Sequence, residues 1–361
     1  MRSRRGFLCE VAAGAGVLMM PRLLGANERR DPGVAQPGEM SMEPKKPEAV
    51  ARRAFGKTGL EVSILGFGGS EIGFEATAQR EVSSILGGAM DAGLNVIDTA
   101  AMYRDSEEKI GRAIASRRDQ VHLFTKVGHW VPEGKPADYA WTRAGVLESI
   151  ERSLRQLGTD RLELAQLHSC DIETLKRGEA LEGLREAQKQ GKVRFVGYSG
   201  DGEAAKVAVL SDAFDALQTS INFLDHEALT LTLPLARERR MGVIAKRPIA
   251  NAVWRYGDEL PANTYHHEYW KRMHAVKLPY TFGHYVRDDG PDGAAGVALR
   301  WTLFQDAQGA GVHTAIVGTT RPGRYEQNAR LLKAGPLSVE VLTDIRQRWA
   351  SVATAEWVGQ R

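Results

Sequence analysis

Residues 81–98 read EVSSILGGAMDAGLNVID, an amphipathic stretch followed by a short apolar run. In the first part, apolar residues recur every three or four positions, which is the period of a helix with one buried face. The second part, Asn95–Asp98, is too short for a helix and has the length and composition of a buried strand. The same order, a helical stretch and then a short strand, recurs along the chain and decides the fold.

Eight apolar runs are predicted to be strands, and most are separated by amphipathic helices. The strands are expected at Ile64–Gly68, Asn95–Asp98, Val121–Lys126, Leu162–His168, Phe195–Ser199, Ala216–Ile221, Val243–Arg247 and Ala315–Gly318. The helices are expected at Glu81–Ala92, Glu107–Ser116, Arg143–Leu157, Thr174–Gln190 and Ala228–Arg240. Parallel strands need long crossover connections, so this alternation predicts an α/β protein with a parallel sheet.

Eight repeats favour closure of that sheet into a (β/α)8 TIM barrel. The alternative is an open doubly wound sheet. Such a sheet is expected to carry a glycine-rich fingerprint at its first strand–helix turn, and the stretch at residues 66–70 lacks the third glycine at its proper spacing. We therefore expect the barrel.

Two additions to the barrel are predicted. Arg53–Phe55 and Leu60–Ile64 flank a Gly-Lys-Thr-Gly turn, so they form an N-terminal β-hairpin that can close the bottom of the barrel. A long loop insertion, about Asn251–Gly293, lies between strands 7 and 8 and is rich in tyrosine, histidine and tryptophan. Strand–helix loops of this kind cover the active site in barrels, so the insertion is expected to contribute to specificity.

Composition is that of a globular protein that needs no disulfide or metal to fold. The 361 residues are 43% apolar, and the formal net charge is +3 with acidic and basic residues interspersed, which predicts no nucleic-acid partner. The two cysteines are Cys9 and Cys170, and Cys9 lies in a segment that is expected to be removed, so no structural disulfide is predicted.

The N-terminal region is predicted to lie outside the fold. Residues 1–26 combine arginines, a short apolar run and a small residue, Ala26, as export signals do, and Arg4-Arg5 followed by Gly-Phe-Leu resembles the twin-arginine signal. This predicts export by the twin-arginine machinery, a periplasmic location and no stable membrane span; the alternative is a basic N-terminus on a cytoplasmic protein. Residues 27–50 are expected to be a disordered linker, and residues 51–361 the barrel.

Four polar residues come at the ends of predicted strands or in the loops that follow. Asp98, Lys126 and His168 each end a strand, and Tyr103 lies five residues after Asp98. Taken alone, each has an ordinary explanation, such as a turn, a solvated rim or packing. Together they converge on the carboxyl-terminal face of one barrel, where catalytic groups of this fold lie.

These residues carry a resemblance to the aldo-keto reductases. The run Gly93-Leu-Asn-Val-Ile-Asp98-Thr-Ala-Ala-Met-Tyr103, continuing to Gly111, is similar to the principal signature of that family. Phe124-Thr-Lys126 and Leu167-His168 fall where the family keeps its lysine and histidine, and residues 55–69 are similar to the family's start. The resemblance covers residues 51 to about 335.

The resemblance implies hydride transfer between a nicotinamide cofactor and an aldehyde or ketone, possibly a sugar. Tyr103 is then the general acid, because an unperturbed tyrosine is protonated at neutral pH, and a cationic Lys126 is expected to lower its pKa. Asp98 is expected to hold Lys126 by an ion pair. A neutral His168 would donate a hydrogen bond to the carbonyl oxygen.

The resemblance also implies cofactor contacts at several strand ends. The expected residues are Gly69, Ser70, Ser199, Gln218, Lys246, Arg247, Thr319, Arg324, Gln327 and Asn328. Arg324 can grip a 2′-phosphate, which favours NADP over NAD, whereas Gly318 replaces a lysine of many members. Lys246 replaces a stacking aromatic, so Lys246 and Arg247 are expected to meet the pyrophosphate instead.

Trp130, Trp141 and Trp254 are the predicted substrate walls, suited to sugars or aromatic carbonyls. No metal is predicted, because the histidines of the insertion lack ligand spacing. A metal-dependent barrel hydrolase is not favoured, because the sequence lacks clusters of histidines and carboxylates at several strand ends. The remaining alternative is a cofactor-binding redox sensor or auxiliary subunit with little turnover.

Overall fold

The computed structural model describes residues 49–305 and 311–360. The predicted signal segment and residues 27–48 of the predicted linker lie outside the described residues. The Val50 N–H donates to the carbonyl oxygen of Ala92 at 3.1 Å, and the first described strand starts at Arg52.

Within residues 49–305 and 311–360, ten strands form a hairpin and a closed barrel. β1 (Arg52–Ala54) and β2 (Glu61–Ser63) pair antiparallel as the predicted hairpin. The barrel strands are β3 (Leu65–Gly68), β4 (Val96–Asp98), β5 (His122–Val127), β6 (Leu162–His168), β7 (Val193–Ser199), β8 (Ala216–Ser220), β9 (Gly242–Lys246) and β10 (Thr314–Val317). Neighbours pair parallel in chain order, and β10 closes the barrel against β3. The predicted TIM barrel, its eight strands and its hairpin are confirmed.

The α-helices connect these strands. They are α1 (Ser70–Phe74), α2 (Gln79–Asp91), α3 (Ser106–Ile114), α4 (Arg143–Leu157), α5 (Ile172–Arg177), α6 (Glu179–Lys189), α7 (Gly202–Leu210), α8 (Glu227–Leu231), α9 (Leu233–Glu238), α10 (His267–Val276), α11 (Ala294–Phe304), α12 (Arg324–Leu332) and α13 (Val339–Val352). Among the residues described, no helix is long and apolar enough to cross a membrane.

Two predicted helices are each divided in two. The helix expected at 174–190 breaks at Gly178, which has φ +78° and ends α5 before α6 begins. The helix expected at 228–240 breaks at Thr232, and Pro234 then occupies the first turn of α9. Proline lacks the N–H that a continuous helix would need there, so a new helix starts instead.

The hairpin fills the amino-terminal end of the barrel. Its apolar side chains pack inside the barrel against one inward-facing residue from most of the strands. This cluster consists of Phe55, Leu60, Val62, Val96, Phe124, Leu164, Ala216, Ile244 and Ile316. The end opposite the hairpin is therefore where polar groups can be presented.

The insertion between β9 and β10 has its own secondary structure. It contains α10 and several 3₁₀ turns, among them Ala250–Tyr256 and Thr264–His266. Tyr269 and Met273 of α10 are fully buried, so the insertion is packed against the barrel rather than extended as an open loop.

Candidate active site

A polar layer lies directly above the apolar layer inside the barrel. Strand side chains alternate in direction, so the residue two positions after each inward apolar residue also points inward. Asp98 follows Val96 in this way, and Lys126 follows Phe124. The same relation holds for Gln166, Gln218 and Lys246, which follow Leu164, Ala216 and Ile244.

Asp98 and Lys126 form a buried ion pair at the centre of this layer. Lys126 Nζ lies 2.5 Å from Asp98 Oδ2 and donates to the Thr99 carbonyl oxygen at 2.9 Å. Burial alone would lower the pKa of Lys126, but the adjacent Asp98 carboxylate outweighs it and raises the pKa. Lys126 is therefore charged at neutral pH.

Tyr103 lies over this pair. Its ring centroid is 5.0 Å from Lys126 Nζ and 5.7 Å from the His168 ring, which it meets edge-on. Burial raises the pKa of Tyr103, and the attraction of Lys126 only partly opposes that effect. The expected lowering of this pKa is thus outweighed, and the phenol holds its proton at neutral pH.

His168 is held in the neutral form. Burial lowers the pKa of its imidazole well below 6.5, and the positive charges of Lys126, Lys246 and Arg247 lower it further. Its backbone carbonyl oxygen lies 2.6 Å from Nε2 of His129, on the loop after β5. A neutral imidazole beside Tyr103 can donate one hydrogen bond to a substrate oxygen.

Ser199 and Gln218 belong to a fully buried hydrogen-bond network behind the ion pair. Ser199 Oγ donates to Gln218 Oε1 at 2.8 Å, and Gln218 Nε2 donates to Asp98 Oδ1 at 2.9 Å. Gln166 Nε2 donates to the same oxygen at 3.2 Å. Any cofactor contact by these side chains has to be added to, or exchanged for, these bonds.

Lys246 and Arg247 lie together beside one carboxylate. Lys246 Nζ is 2.8 Å from Asp201 Oδ2, and Arg247 Nη1 is 3.8 Å from the same atom. Arg247 also donates to Ser220 Oγ at 2.7 Å and to Tyr265 OH at 2.8 Å. The insertion thereby contacts the barrel mouth through Tyr265.

Gly69 and Ser70 follow β3 and lie next to Asp98. The Gly69 N–H donates to the Asp98 carbonyl oxygen at 2.8 Å, and Ser70 Oγ donates to Glu71 Oε2 at 2.7 Å. A Cβ at Gly318 would lie 1.6 Å from Glu71 Oε2, so the Glu71 carboxylate fills the space that a side chain at Gly318 would need.

The remaining predicted cofactor residues cluster around the start of α12. Arg324 is the first residue of the helix, Asn328 is buried, and Gln327 is exposed. Thr319 precedes them after β10, and its Oγ1 accepts a hydrogen bond from the Arg321 N–H at 3.0 Å. The structure brings these four into one segment at the edge of the barrel.

The three predicted substrate tryptophans have different surroundings. Trp141 meets His129 edge-on at 5.1 Å, and the Arg152 guanidinium lies 5.1 Å from the Trp130 ring. Trp254 is 7% exposed and stacks on Phe223. Its placement supports packing in the core and does not support the predicted substrate contact.

Two exposed apolar side chains were missed by the sequence interpretation. Phe74 is 45% exposed, and its ring centroid lies 5.6 Å from that of Tyr103. Met102, which precedes Tyr103 in the chain, is 41% exposed. Exposed apolar groups flanking a polar centre are typical of a ligand site. Their only sequence signal is closeness to Tyr103, and this was not sufficient to predict exposure.

Three residues at the barrel mouth have left-handed backbone. Arg104, Ser169 and Arg247 have φ between +50° and +59°, and each directly follows a predicted site residue. Such conformations cost a non-glycine residue about 1–2 kcal/mol and are common at functional sites.

The two ion-pair clusters at the mouth, Asp98–Lys126 and Asp201–Lys246–Arg247, have one more cation than carboxylate. Lys126, Lys246 and Arg247 are three cations, while Asp98 and Asp201 are two carboxylates, which leaves one positive charge. Within the part of the chain that the structure describes, no cluster of three or more potential metal ligands occurs. The donor set fits an anionic organic cofactor.

Comparison with known proteins identifies the family. A model of the aldo/keto reductase family matches residues 64–350, which include all eight barrel strands and the polar layer. The chain belongs to the aldo/keto reductase family. It is therefore an NAD(P)-dependent oxidoreductase.

Relatives within the family are distant. The chain is 30% identical over 207 residues to the uncharacterized oxidoreductase YqkF of Bacillus subtilis. This match covers 56% of this chain and 66% of YqkF, so it spans just under two thirds of that relative's length. It is 27% identical to a D-threo-aldose 1-dehydrogenase of a Pseudomonas species, and that match covers 75% of this chain and 89% of the dehydrogenase. An L-galactose dehydrogenase of Arabidopsis thaliana is 28% identical, and that match covers 55% of this chain and 65% of the plant enzyme.

Solved structures share the fold. A putative aldo-keto reductase from Pseudomonas aeruginosa has a TM-score of 0.60 and 26% identity, covering 81% of this chain and 99% of that one. The holo form of an aldo-keto reductase from Bacillus halodurans has a TM-score of 0.70 and 24% identity, covering 85% and 99%. At that identity the second likeness shows the fold alone.

Proposed function

We propose that this aldo/keto reductase interconverts an aldehyde or ketone and its alcohol, with Tyr103 as general acid and base. The observation that carries the proposal is the convergence of Asp98, Lys126, Tyr103 and His168 on one barrel mouth. A protonated phenol, a charged ammonium and a neutral imidazole are the protonation states that carbonyl reduction needs.

Each residue has a distinct task. Tyr103 gives its proton to the carbonyl oxygen, and Lys126 stabilises the tyrosinate that forms. Asp98 keeps Lys126 charged and fixed in place. His168 donates a hydrogen bond to the same oxygen and stabilises negative charge as it develops. In the oxidative direction the tyrosinate accepts the proton from the alcohol.

A nicotinamide cofactor bound at this mouth would supply or accept the hydride. Lys246 and Arg247 are proposed to bind its pyrophosphate, which the surplus positive charge of the two ion-pair clusters supports. Thr319, Arg324, Gln327 and Asn328 are proposed to bind the adenosine end, with Arg324 on a 2′-phosphate. Arg324 lies at the start of α12, where the helix dipole also favours an anion. NADP is therefore preferred over NAD.

The substrate class is proposed to be sugars or other polyhydroxylated carbonyl compounds. The exposed Phe74 provides an apolar face beside Tyr103. Trp141 provides another beside His129, whose ring lies 5.3 Å from that of His168 and offers a polar edge. Apolar faces combined with polar edges suit a sugar ring. Two relatives are named as an aldose and a galactose dehydrogenase, which supports the same class.

The test is turnover with Tyr103→Phe as the matched variant. Wild-type protein is assayed with both reduced cofactors against aldehydes and ketones, and with both oxidised cofactors against aldoses. We expect turnover by the wild type and loss of turnover in Tyr103→Phe with an unchanged Kd for the cofactor. Turnover of the variant at the wild-type rate would refute the role of Tyr103.

Residues 1–26 are further proposed to direct export through the twin-arginine machinery to the periplasm, in a folded state with cofactor already bound. The support is the Arg4-Arg5-Gly-Phe-Leu motif before an apolar run. Replacement of both arginines by lysine is expected to retain the protein in the cytoplasm on cell fractionation. Unchanged distribution would refute the proposal.

A further inference from the structure

Asp201 contacts both cations that are proposed to bind the cofactor pyrophosphate, although no sequence motif singled it out. It follows β7 by two residues and precedes α7. Its side chain is 2% exposed, and its two carboxylate oxygens have different surroundings. Oδ1 accepts hydrogen bonds from Thr219 Oγ1 at 2.8 Å and from the Ser220 N–H at 2.6 Å. Oδ2 faces the cations.

The usual explanation for an aspartate before a helix does not apply here. Aspartate at this position normally accepts hydrogen bonds from N–H groups of the first helical turn. Asp201 occupies the N-cap position of α7, yet among the described residues its side chain makes no capping bond to the helix. The carboxylate instead turns to the end of β8 and to Lys246 of β9.

The charges at Asp201 are mutually dependent. Burial would raise the pKa of Asp201, but Lys246 and Arg247 outweigh it and lower the pKa, so the carboxylate is ionised. Burial lowers the pKa of Lys246, and the attraction of Asp201 opposes that shift. Without Asp201, Lys246 would lose much of the support for its charge.

We propose that Asp201 is a positioning residue that holds Lys246 and Arg247 charged and oriented for the pyrophosphate of the cofactor. Hydrogen bonds from Thr219 and Ser220 to Oδ1 hold the carboxylate against the end of β8. The position of Oδ2 is thereby fixed, and Oδ2 orients the two cations. One carboxylate between two cations leaves one positive charge for an anionic ligand. The proposal rests on the proposed function, because it takes that ligand to be the nicotinamide cofactor.

The test compares cofactor binding by full-length variants, measured as the change in NADPH and NADH fluorescence. Asp201→Asn is expected to raise the Kd of both cofactors by about 10- to 100-fold, the effect of losing support for one charged contact. Asp201→Glu is expected to recover most of that loss. Asp215→Asn, a carboxylate at the opposite end of β8 that accepts from the Val196 N–H, serves as the matched control and is expected to leave Kd unchanged.

A double-mutant cycle separates positioning from general stability. If Asp201 acts through the cations, Asp201→Asn has little further effect on Kd once Lys246→Met and Arg247→Met are present. An Asp201→Asn variant with unchanged or tighter cofactor binding would overturn the proposal. So would an equal loss of affinity in the cation-free background.

Two further outcomes keep the inference separate from the proposed function. If Asp201→Asn does not fold, Asp201→Glu and the Lys246→Met and Arg247→Met variants carry the test, and unchanged Kd in the cation variants would overturn the inference. In that case the proposed function stands as long as the wild type binds cofactor and reduces carbonyls. Absence of any cofactor binding by the wild type would refute both.

Discussion

The Asp98 carboxylate and the Lys126 ammonium lie 2.5 Å apart, and neither side chain is more than 2% exposed. Three donors converge on Asp98, since Gln166 and Gln218 bind the oxygen that Lys126 leaves free. A buried pair of this kind is costly to break, because removing one partner leaves a charge without compensation. The pair is therefore the electrostatic centre of the site, and removal of one partner is expected to destabilise the fold.

We predict that Lys126→Met lowers the free energy of unfolding by about 3–5 kcal/mol and abolishes carbonyl reduction. The double variant Asp98→Asn with Lys126→Met is expected to be more stable than Lys126→Met alone, because it removes the unpaired charge. Urea unfolding of the wild type, the single variants Asp98→Asn and Lys126→Met, and the double variant measures the coupling. Additive losses in the double variant would contradict a buried, charged pair.

A second prediction concerns the protonation state of His168. Its pKa is well below 6.5 because of burial and the positive charges around it, so the imidazole is neutral throughout the range from pH 6 to 9. ¹⁵N NMR of the imidazole is expected to show one neutral tautomer over that range. His168→Gln, which retains a donor, should keep more activity than His168→Ala. A titration near pH 6.5 would contradict this assignment.

A third prediction concerns stability in acid. His226 is stacked between Trp301 and Trp349 at 4.6 and 4.3 Å, and burial lowers its pKa to about 3. As pH falls below about 6.5 the unfolded chain binds a proton that the folded chain does not, so acid favours unfolding. The loss from this group reaches about 3 kcal/mol at pH 4. His226→Phe should reduce the drop in unfolding free energy between pH 7 and pH 4 by that amount; an unchanged drop would contradict it.

The fourth prediction concerns cofactor choice. Arg324→Ala is expected to raise the Kd of NADPH by about 10- to 100-fold and that of NADH little, because only NADPH carries the 2′-phosphate. Arg321→Ala is the matched control, since Arg321 is an exposed arginine in the turn before α12. An equal rise in the Kd of NADPH and NADH in Arg324→Ala would indicate that Arg324 does not bind the 2′-phosphate.

The sequence predicted those parts of the site that depend on strand ends. Asp98 and His168 end their strands and Lys126 is the last residue but one of β5, so alternation of side chains alone places them together at the barrel mouth. Gln166 lies two residues before His168 and has the same alternation, but its role required knowledge of what it faces. Asp201 was missed because its partners lie on other strands. Ser220 comes 19 residues later in the chain, and Lys246 comes 45 residues later.

Other features depend on tertiary structure that local patterns do not encode. The left-handed backbone at Arg104 and Ser169 has no residue-type signal, since neither is glycine or asparagine. The burial of Trp254 against Phe223 follows from how the insertion folds back on the barrel. A continuous helix across Gly178 was predicted because apolar periodicity persists on both sides of it.

The central claim, that Tyr103 is the proton donor for hydride transfer, is tested most directly by a single turnover with cofactor deuterated at the transferring position. Wild-type protein saturated with this cofactor is mixed with an aldehyde, and deuterium on the product carbinol carbon is followed by mass spectrometry. We predict deuterium transfer by the wild type and at least about 100-fold slower transfer by Tyr103→Phe at equal cofactor occupancy. Transfer by Tyr103→Phe at the wild-type rate would contradict the claim.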